Sequence, residues 1–220
     1  MSPESAEANQ PDGAPGPEAV WREVQPDAAR RLLVAAVEAF AVRGFHATRT
    51  RDIAQGAGMS PAGVYVHYRS KEELLHRITL TGHQRTLGLI RTATAAAGDA
   101  PTDRLTAVIA GLTAWHARHH TTTRVIEYEL HSLTPDHHAE IVQLRREIDG
   151  LVRQILADGV ARGDFDVPDV PTTTLALLSL SVDVARWYHP SPRLSPERLG
   201  SLYADLALRM VGGAVPPAAG

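Results

Sequence analysis

Cysteine is absent from the 220 residues, and lysine occurs once, against 21 arginines. Without cysteine the chain can form no disulfide, thiolate metal site or cysteine nucleophile. Aromatic residues make up only 5% of the chain, and no apolar run approaches the roughly 18 residues that a membrane-spanning helix needs. Residues 1–20 also lack the basic start and apolar core of a secretion signal. We therefore expect a cytoplasmic protein that does not associate with membranes.

The net charge of −3 is distributed unevenly along the chain. Residues 1–26 carry a net charge of −4, residues 27–85 carry +4, and residues 86–220 carry −3. A basic block of this size suits a polyanion such as DNA, although a solvated arginine-rich surface would give the same count. Residues 1–26 are rich in proline and acidic residues and show no apolar period, which predicts a disordered acidic tail.

From Asp27 onward, apolar residues recur with the period of an α-helix, and no alternating run of strand length stands out. The pattern predicts an all-α fold of about nine helices. Gly44 is expected to end the first helix, and Thr48 to cap a short second one. Ser60 is expected to cap a short third helix and Ser70 a long fourth one.

Two short helices joined by a glycine-containing turn, after a longer amphipathic helix, form the layout of a helix-turn-helix unit. The small residues Ala54, Ala57 and Gly58 would let the two short helices cross closely. The second of them begins with small residues from Ser60 onward, which would allow its N-terminal end to approach the bases in the major groove. This arrangement predicts a DNA-reading unit.

The segment from Gly44 to Leu75 resembles the TetR/AcrR family of bacterial transcriptional regulators. The matching residues are Gly44-Phe45, Thr48, Arg51–Ala54, Ala57–Ser60, Val64-Tyr65, His67-Tyr68 and Ser70–Leu74. The resemblance implies a DNA-binding domain, residues 27–73, and a larger helical domain, residues 74–214, that binds an effector and dimerises. It also implies phosphate contacts at Lys71, Tyr65, His67 and Thr48, and places Ala62 and Gly63 closest to the bases.

From the sequence we expect ten residues to contact operator DNA: Thr48, Arg49, Arg51, Ser60, Ala62, Gly63, Tyr65, His67, Tyr68 and Lys71. Ala62 and Gly63 have no hydrogen-bonding side chain, so they would read thymine methyl groups or use backbone amides. Base reading would otherwise fall to Arg49, Arg51, Ser60 or Val66. Two of these residues also have structural interpretations: Arg51 as an ion-pair partner of Asp52 or Glu38, and Tyr68 as half-buried against the first helix.

Histidines occupy an apolar helix face in the second half of the chain. His116 and His119 share that face with Leu105, Ile109 and Leu112. They are either hydrogen-bonded core residues or part of a cavity that binds a ligand with a polar end. The candidate effector contacts are Leu112, Trp115, His116, His119, Tyr128, His131, Arg145 and Trp187. A metal bound by the clustered histidines is the less favoured alternative, and we predict no metal and no cofactor.

Residues 172–188 are apolar nearly all round, and the resemblance places them with residues 196–212 in a homodimer interface. The corner from Trp187 to Glu197 also resembles acyl-CoA-responsive members of the family. The sequence thus predicts a repressor that binds double-stranded operator DNA and is released by a small molecule, with an acyl-CoA or another hydrophobic carboxylate as candidate effector. A ligand-independent architectural DNA binder and a histidine-dependent enzyme are the alternatives, although no nucleophile elbow or phosphate loop is present.

Overall fold

The computed structural model describes residues 20–213, and within that range it contains nine α-helices and no β-strand. The all-α prediction is confirmed. The helices are α1 (Asp27–Ala47), α2 (Thr50–Gly56), α3 (Pro61–His67), α4 (Lys71–Ala96), α5 (Pro101–Arg118), α6 (His120–Glu129), α7 (Pro135–Arg162), α8 (Val170–Trp187) and α9 (Pro196–Met210). Among the described residues, no helix is both long enough and apolar enough to cross a bilayer.

Helices α1, α2 and α3 form a small unit at one end of the molecule. Gly44 has a φ of 76° inside α1, a conformation that glycine adopts without a steric penalty, and it redirects the last turn of that helix. Gly58, with a φ of 66°, makes the turn between α2 and α3. Ile53 and Val64 are fully buried where these two helices meet.

Two of the three predicted caps are confirmed. The Ser60 side chain accepts a hydrogen bond from Gly63 N at 3.2 Å, and the Ser70 side chain accepts one from Glu73 N at 3.0 Å. Thr48 does not cap α2, because Arg49 occupies the N-cap position. The Thr48 hydroxyl donates instead toward the Gly44 carbonyl at 2.7 Å, which ties the end of α1 together.

Helix α4 connects this unit to the larger helical part. The predicted domain boundary after residue 73 lies within α4, and the apolar core under α1 continues through Leu74 and Ile78 to Val125 and Ile126 of α6. A Cβ at Gly82 would lie 2.3 Å from Ile126 Cδ1, so this glycine allows close approach of α4 and α6. The α1–α3 unit therefore shares a core with α4, α6 and the start of α7, while the rest of the larger part has a separate core.

The larger part is built around α5, which packs against α4, α7, α8 and α9. The contact between α5 and α9 is close at Gly200, where a Cβ would lie 2.4 Å from the Ala110 carbonyl oxygen. Apolar side chains nevertheless remain exposed on the outer faces of α8 and α9: Leu175, Leu180, Trp187, Leu202, Leu206 and Met210.

The predicted tail, residues 1–26, lies largely outside the described residues, since the description begins at Val20. Val20 and Trp21 were included in that tail, but both are 1% exposed and belong to the core. Glu23 also forms an ion pair with Arg85 of α4 at 3.0 Å. Residues 20–26 are therefore packed against the helices, because the apolar pair Val20 and Trp21 is buried there.

Candidate DNA-binding surface and effector cavity

The outward face of α3 is apolar and exposed. Val66 is 78% exposed and Tyr65 is 56% exposed, and Ala62 is exposed one turn before Val66. Gly63 is half-buried, and a Cβ there would lie 3.3 Å from Met59 Cε. The only hydrogen-bonding group on this outer strip is the Tyr65 hydroxyl, so the strip can make van der Waals contacts but few polar ones.

Basic side chains stand beside this strip at the start of α2. Arg49 and Arg51 are exposed, and Arg51 lies 3.9 Å from Asp52, too far for a strong ion pair. Asp52 is engaged mainly by Arg43, at 3.0 Å, and by the backbone N–H of Arg49, at 3.1 Å. The guanidinium groups of Arg49 and Arg51 therefore remain accessible to an anion. Ser60 is exposed and His67 is half-buried on the same unit.

Thr48 and Tyr68, which the sequence predicts as DNA contacts, are both buried in the structure. Thr48 is 1% exposed, with its hydroxyl directed at backbone carbonyls. Tyr68 is 6% exposed, and its hydroxyl donates to the Ala29 carbonyl at 3.2 Å. Burial raises the pKa of Tyr68 to about 12, so the hydroxyl stays a donor. Neither side chain reaches the surface that would face DNA.

Lys71 also has an internal role. Its ammonium donates to the carbonyls of Phe45 at 2.5 Å and Thr48 at 2.8 Å, and it lies 4.2 Å from the centroid of the Phe45 ring. Burial lowers the pKa of Lys71, and the nearby Glu129 carboxylate partly opposes that effect. In this structure the Lys71 ammonium joins the start of α4 to the end of α1. The family resemblance implied a phosphate contact for the same ammonium.

A partly enclosed cavity of about 110 Å³, called the inner cavity below, lies among α4, α5, α6, α7 and α8. Five of the eight predicted effector contacts line it: Leu112, Trp115, His116, His119 and Arg145. The sequence analysis missed His83 of α4, which lines the cavity and is 7% exposed. His83 lies one turn from the buried residues Thr79 and Leu87, so the argument used for His116 would have identified it.

The imidazoles at this cavity are held in an uncharged form. Burial lowers the pKa of His116 to about 4 and that of His119 to about 4, and burial also lowers the pKa of His83. The Nδ1 atom of His116 lies 3.0 Å from the Ser181 carbonyl, and Nδ1 of His83 lies 2.8 Å from the Thr79 carbonyl. These two rings are therefore oriented by the backbone.

An open groove of about 550 Å³ adjoins the inner cavity, and its walls include Arg124, Arg145 and Arg186. Glu127 and Arg145 line both spaces and form an ion pair at 3.3 Å between them. Tyr128 lines the groove and is 55% exposed, so it lies outside the inner cavity to which the sequence analysis assigned it. The groove wall also includes Glu127, Asp149 and Asp183, so it carries charges of both signs beside the mostly apolar cavity.

His131 and Trp187, also predicted as effector contacts, line neither the cavity nor the groove. His131 is exposed on a 3₁₀ turn, with its ring centroid 6.4 Å from that of His46. Trp187 is at the end of α8, 6.4 Å from Tyr188, and is part of the exposed apolar surface. Within residues 20–213, no group of three or more histidine or acidic side chains has the arrangement of a metal site.

Comparison with known families gives two matches. Residues 32–78 match the model described as bacterial regulatory proteins, tetR family, and residues 98–211 match the tetracyclin repressor-like C-terminal domain. The first match covers most of α1 to α3 and the start of α4, and the second covers α5 to α9. The two matches thus fall on the candidate reading unit and on the helices around the cavity.

Individual relatives agree with these two family matches. The chain is 30% identical to the HTH-type transcriptional repressor KstR2 of Mycolicibacterium smegmatis over 185 residues, which is 80% of this chain and 87% of that protein. It is 42% identical to a bacterial regulatory protein in the tetR family from Rhodococcus RHA1, whose crystal structure superimposes with a TM-score of 0.81 and covers 87% of this chain and 100% of that one. AibR, solved in complex with isovaleryl coenzyme A and operator DNA, shares the fold with a TM-score of 0.73 at 21% identity, over 81% of this chain and 97% of that one.

Proposed function

Because this chain belongs to the TetR family of bacterial transcriptional regulators, we propose that it is a homodimeric repressor whose hold on its operator is released when an effector occupies the α4–α8 cavity. The observation that carries the proposal is the pairing of an exposed reading strip on α3 with a histidine-lined cavity, joined by α4 and α6. The related proteins are regulators, so the enzyme alternative is set aside.

The operator contacts that we propose are those that reach the surface. Arg49 and Arg51 supply cations for phosphates, while Ala62 and Gly63 bring the α3 backbone close to the bases. The remaining proposed contacts are Ser60, Tyr65 and His67. Thr48 and Tyr68 position these residues from inside, whereas Lys71 is partly exposed and stays a proposed phosphate contact. Two reading units separated by one helical turn of DNA, roughly 34–36 Å, would occupy a palindromic operator.

A dimer is supported by the exposed apolar side chains on α8 and α9. Six large apolar residues are 38–64% exposed there, on the segments that the sequence analysis assigned to the homodimer. When this surface packs against the same surface of a second subunit, it is removed from water, and the dimer carries two reading units. A dimer also doubles the number of phosphates neutralised, which makes operator affinity depend steeply on salt.

For the effector we propose an acyl-CoA, with its acyl group in the inner cavity and its anionic part in the groove. The inner cavity is lined mostly by apolar side chains and uncharged imidazoles, which suits the neutral end of a thioester. The arginines of the groove suit phosphates, although Arg145 and Arg186 are paired with Glu127 and Asp183 and would have to exchange partners. AibR, which shares the fold, binds an acyl-CoA of short chain.

Operator binding is tested by selecting duplexes from a random pool and measuring their affinity by fluorescence anisotropy over a range of salt. We expect a palindromic site, a loss of affinity of tenfold or more across physiological salt, and weaker binding by R49A and R51A. Arg162, exposed at the far end of α7, provides the control variant R162A. Selection of no preferred sequence would favour the architectural alternative.

The dimer and the effector are tested on the same protein. Leu206→Glu should give a monomer with weak operator binding, whereas Val160→Glu, at an exposed apolar position of α7, should remain dimeric. Isovaleryl-CoA and longer acyl-CoAs should lower operator affinity, and coenzyme A alone should not. If none of the thioesters changes operator affinity, the assignment of the effector class is wrong while the operator-binding proposal stands.

A further inference from the structure

His119 carries a buried nitrogen that the protein leaves without a hydrogen bond. The residue is 5% exposed at the junction of α5 and α6, and its ring packs 4.0 Å from that of Trp115. Among residues 20–213, Nδ1 of His119 is the one buried side-chain nitrogen or oxygen atom with no partner. Unpaired buried polar groups are costly and rare, and each one calls for a physical reason.

The surroundings of His119 point to that reason. His119 lines the inner cavity, where His83 and His116 already have backbone carbonyl partners for their own Nδ1 atoms. The unpaired nitrogen is thus a specific feature of one ring and not a shared property of the three. A ligand group in the cavity would be placed to supply this nitrogen with a hydrogen bond.

The charge of the cavity restricts which ligand group can do so. Of its lining residues, only Glu127 and Arg145 carry opposite full charges, and these bind each other at the boundary with the groove. The imidazoles are neutral because burial disfavours their protonated form. A carboxylate placed beside His119 would therefore be buried without a free cation, which is strongly unfavourable.

A hydroxyl group avoids this difficulty. It can donate to an unprotonated Nδ1 or accept from a protonated one, so it satisfies either neutral tautomer of His119. Carbonyl oxygens can only accept, and a hydrocarbon leaves the nitrogen unpaired. We propose that the part of the effector that enters the inner cavity is a small apolar group bearing an uncharged hydroxyl, which hydrogen-bonds to Nδ1 of His119.

The size of the cavity limits this group further. Its volume of about 110 Å³ is below the roughly 150 Å³ of an engineered apolar cavity that binds benzene. A group no larger than one small ring or a short branched chain can therefore occupy it, and anything larger must extend into the groove. The inference rests on the proposed role of this cavity as the effector site, and two sources share the chemistry: a free small phenol or alcohol, and a hydroxylated acyl group on a thioester.

Three probes of similar shape test the hydrogen bond directly. Benzene, phenol and benzoate are titrated into the full-length protein, and binding is followed by ligand-observed NMR and by the shift in melting temperature. We expect phenol to bind on the order of tenfold more tightly than benzene, and benzoate to bind most weakly. In His119→Phe, which keeps the aromatic packing on Trp115, phenol and benzene should bind equally.

His120→Phe is the matched control, because His120 adjoins His119 but its Nδ1 lies 3.0 Å from the Ala117 carbonyl and it does not line the cavity. It should keep the preference for phenol. If His119→Phe does not fold, His119→Gln replaces it, and it should retain part of the preference through its amide. Comparing 3-hydroxybutyryl-CoA with butyryl-CoA distinguishes a hydroxyacyl thioester from a free phenol or alcohol as the source.

The inference is overturned if benzoate binds best, if the preference for phenol persists in His119→Phe, or if none of the probes binds. Operator affinity of the same preparations is measured separately. If the wild-type protein without added ligand binds no operator sequence specifically, the proposed function is refuted, whatever the probes show.

Discussion

The Glu129 carboxylate at the end of α6 accepts a hydrogen bond from the backbone N–H of Phe45, at 3.0 Å, in the last turn of α1. The carbonyl of the same residue, Phe45, accepts from the Lys71 ammonium at 2.5 Å. The end of α1 is thus held from α6 on one side and from α4 on the other. Since α6 also lines the candidate effector cavity through Ile126 and Glu127, it connects that cavity to the α1–α3 unit.

Removing the hydrogen bond between Glu129 and Phe45 should weaken operator binding even when no effector is bound. Glu129→Ala leaves the Phe45 N–H without its acceptor, so we expect a loss of about 1 kcal/mol in unfolding free energy and a several-fold higher operator Kd. Glu129→Gln keeps an acceptor oxygen and should lie close to the wild type. Glu147→Ala, which removes an exposed ion pair with Arg91, is the control. Wild-type operator affinity in Glu129→Ala would show that the contact does not position the reading unit.

Lys71 provides a second test of positioning. Lys71→Met keeps an apolar stem on Phe45 but leaves the carbonyls of Phe45 and Thr48 without their donor. We expect unfolding free energy to fall by about 1–3 kcal/mol, measured by urea denaturation, together with operator affinity. Arg69→Met, at the exposed position two residues earlier, should leave stability unchanged. If Lys71→Met lost operator affinity at unchanged stability, the phosphate contact implied by the family resemblance would be correct instead.

Acidification should destabilise the protein through its buried histidines. The pKa of His116 falls from 6.5 to about 4 on folding because the ring is buried, and that of His119 shifts in the same direction. Below pH 6.5 the unfolded chain therefore binds protons that the folded chain does not. The stabilisation is complete above pH 6.5 and is lost as the pH falls toward 4, by roughly 3 kcal/mol for His116.

Urea denaturation between pH 7.5 and 4.5 measures this dependence. His116→Asn keeps an N–H donor for the Ser181 carbonyl but has no titrating group, so its stability should fall less steeply below pH 6.5. An identical slope in the wild type and His116→Asn would mean that His116 is not the source of the pH dependence.

Val66 should read thymine methyl groups. It is 78% exposed on α3, in line with Ala62, and neither side chain can hydrogen-bond to a base. In a selected operator, replacing one thymine by uracil in each half-site removes only a methyl group, worth about 0.8 kcal/mol when buried. We expect at least one such position at which affinity falls several-fold for the wild type.

Val66→Ala should be less sensitive to the same replacement, because the two methyl-bearing groups contact each other and their effects are not additive. Val42→Ala, at an 81% exposed position of α1, should respond like the wild type. Equal sensitivity of Val66→Ala and the wild type at every thymine would exclude Val66 as the reading residue.

Local sequence determined the helices and the type of DNA-binding unit. Apolar spacing along one helix, a glycine in a turn, and a cap such as Ser60 or Ser70 all act within about four residues, so they can be read without a structure. The same local reasoning placed His116 and His119 on a buried face. It could equally have found His83, which follows the same spacing on α4.

The tertiary structure decided what each exposed or polar residue faces. Thr48, Tyr68 and Lys71 were assigned to DNA from their positions in the motif. The partners of Tyr68 and Lys71 lie 23 to 39 residues away, whereas Thr48 bonds to carbonyls four and nine residues before it. Glu129 acts on Phe45 across 84 residues, and neither His131 nor Trp187 lines the cavity. Helical periodicity defines a face of one helix, whereas packing between distant helices determines which neighbour that face meets.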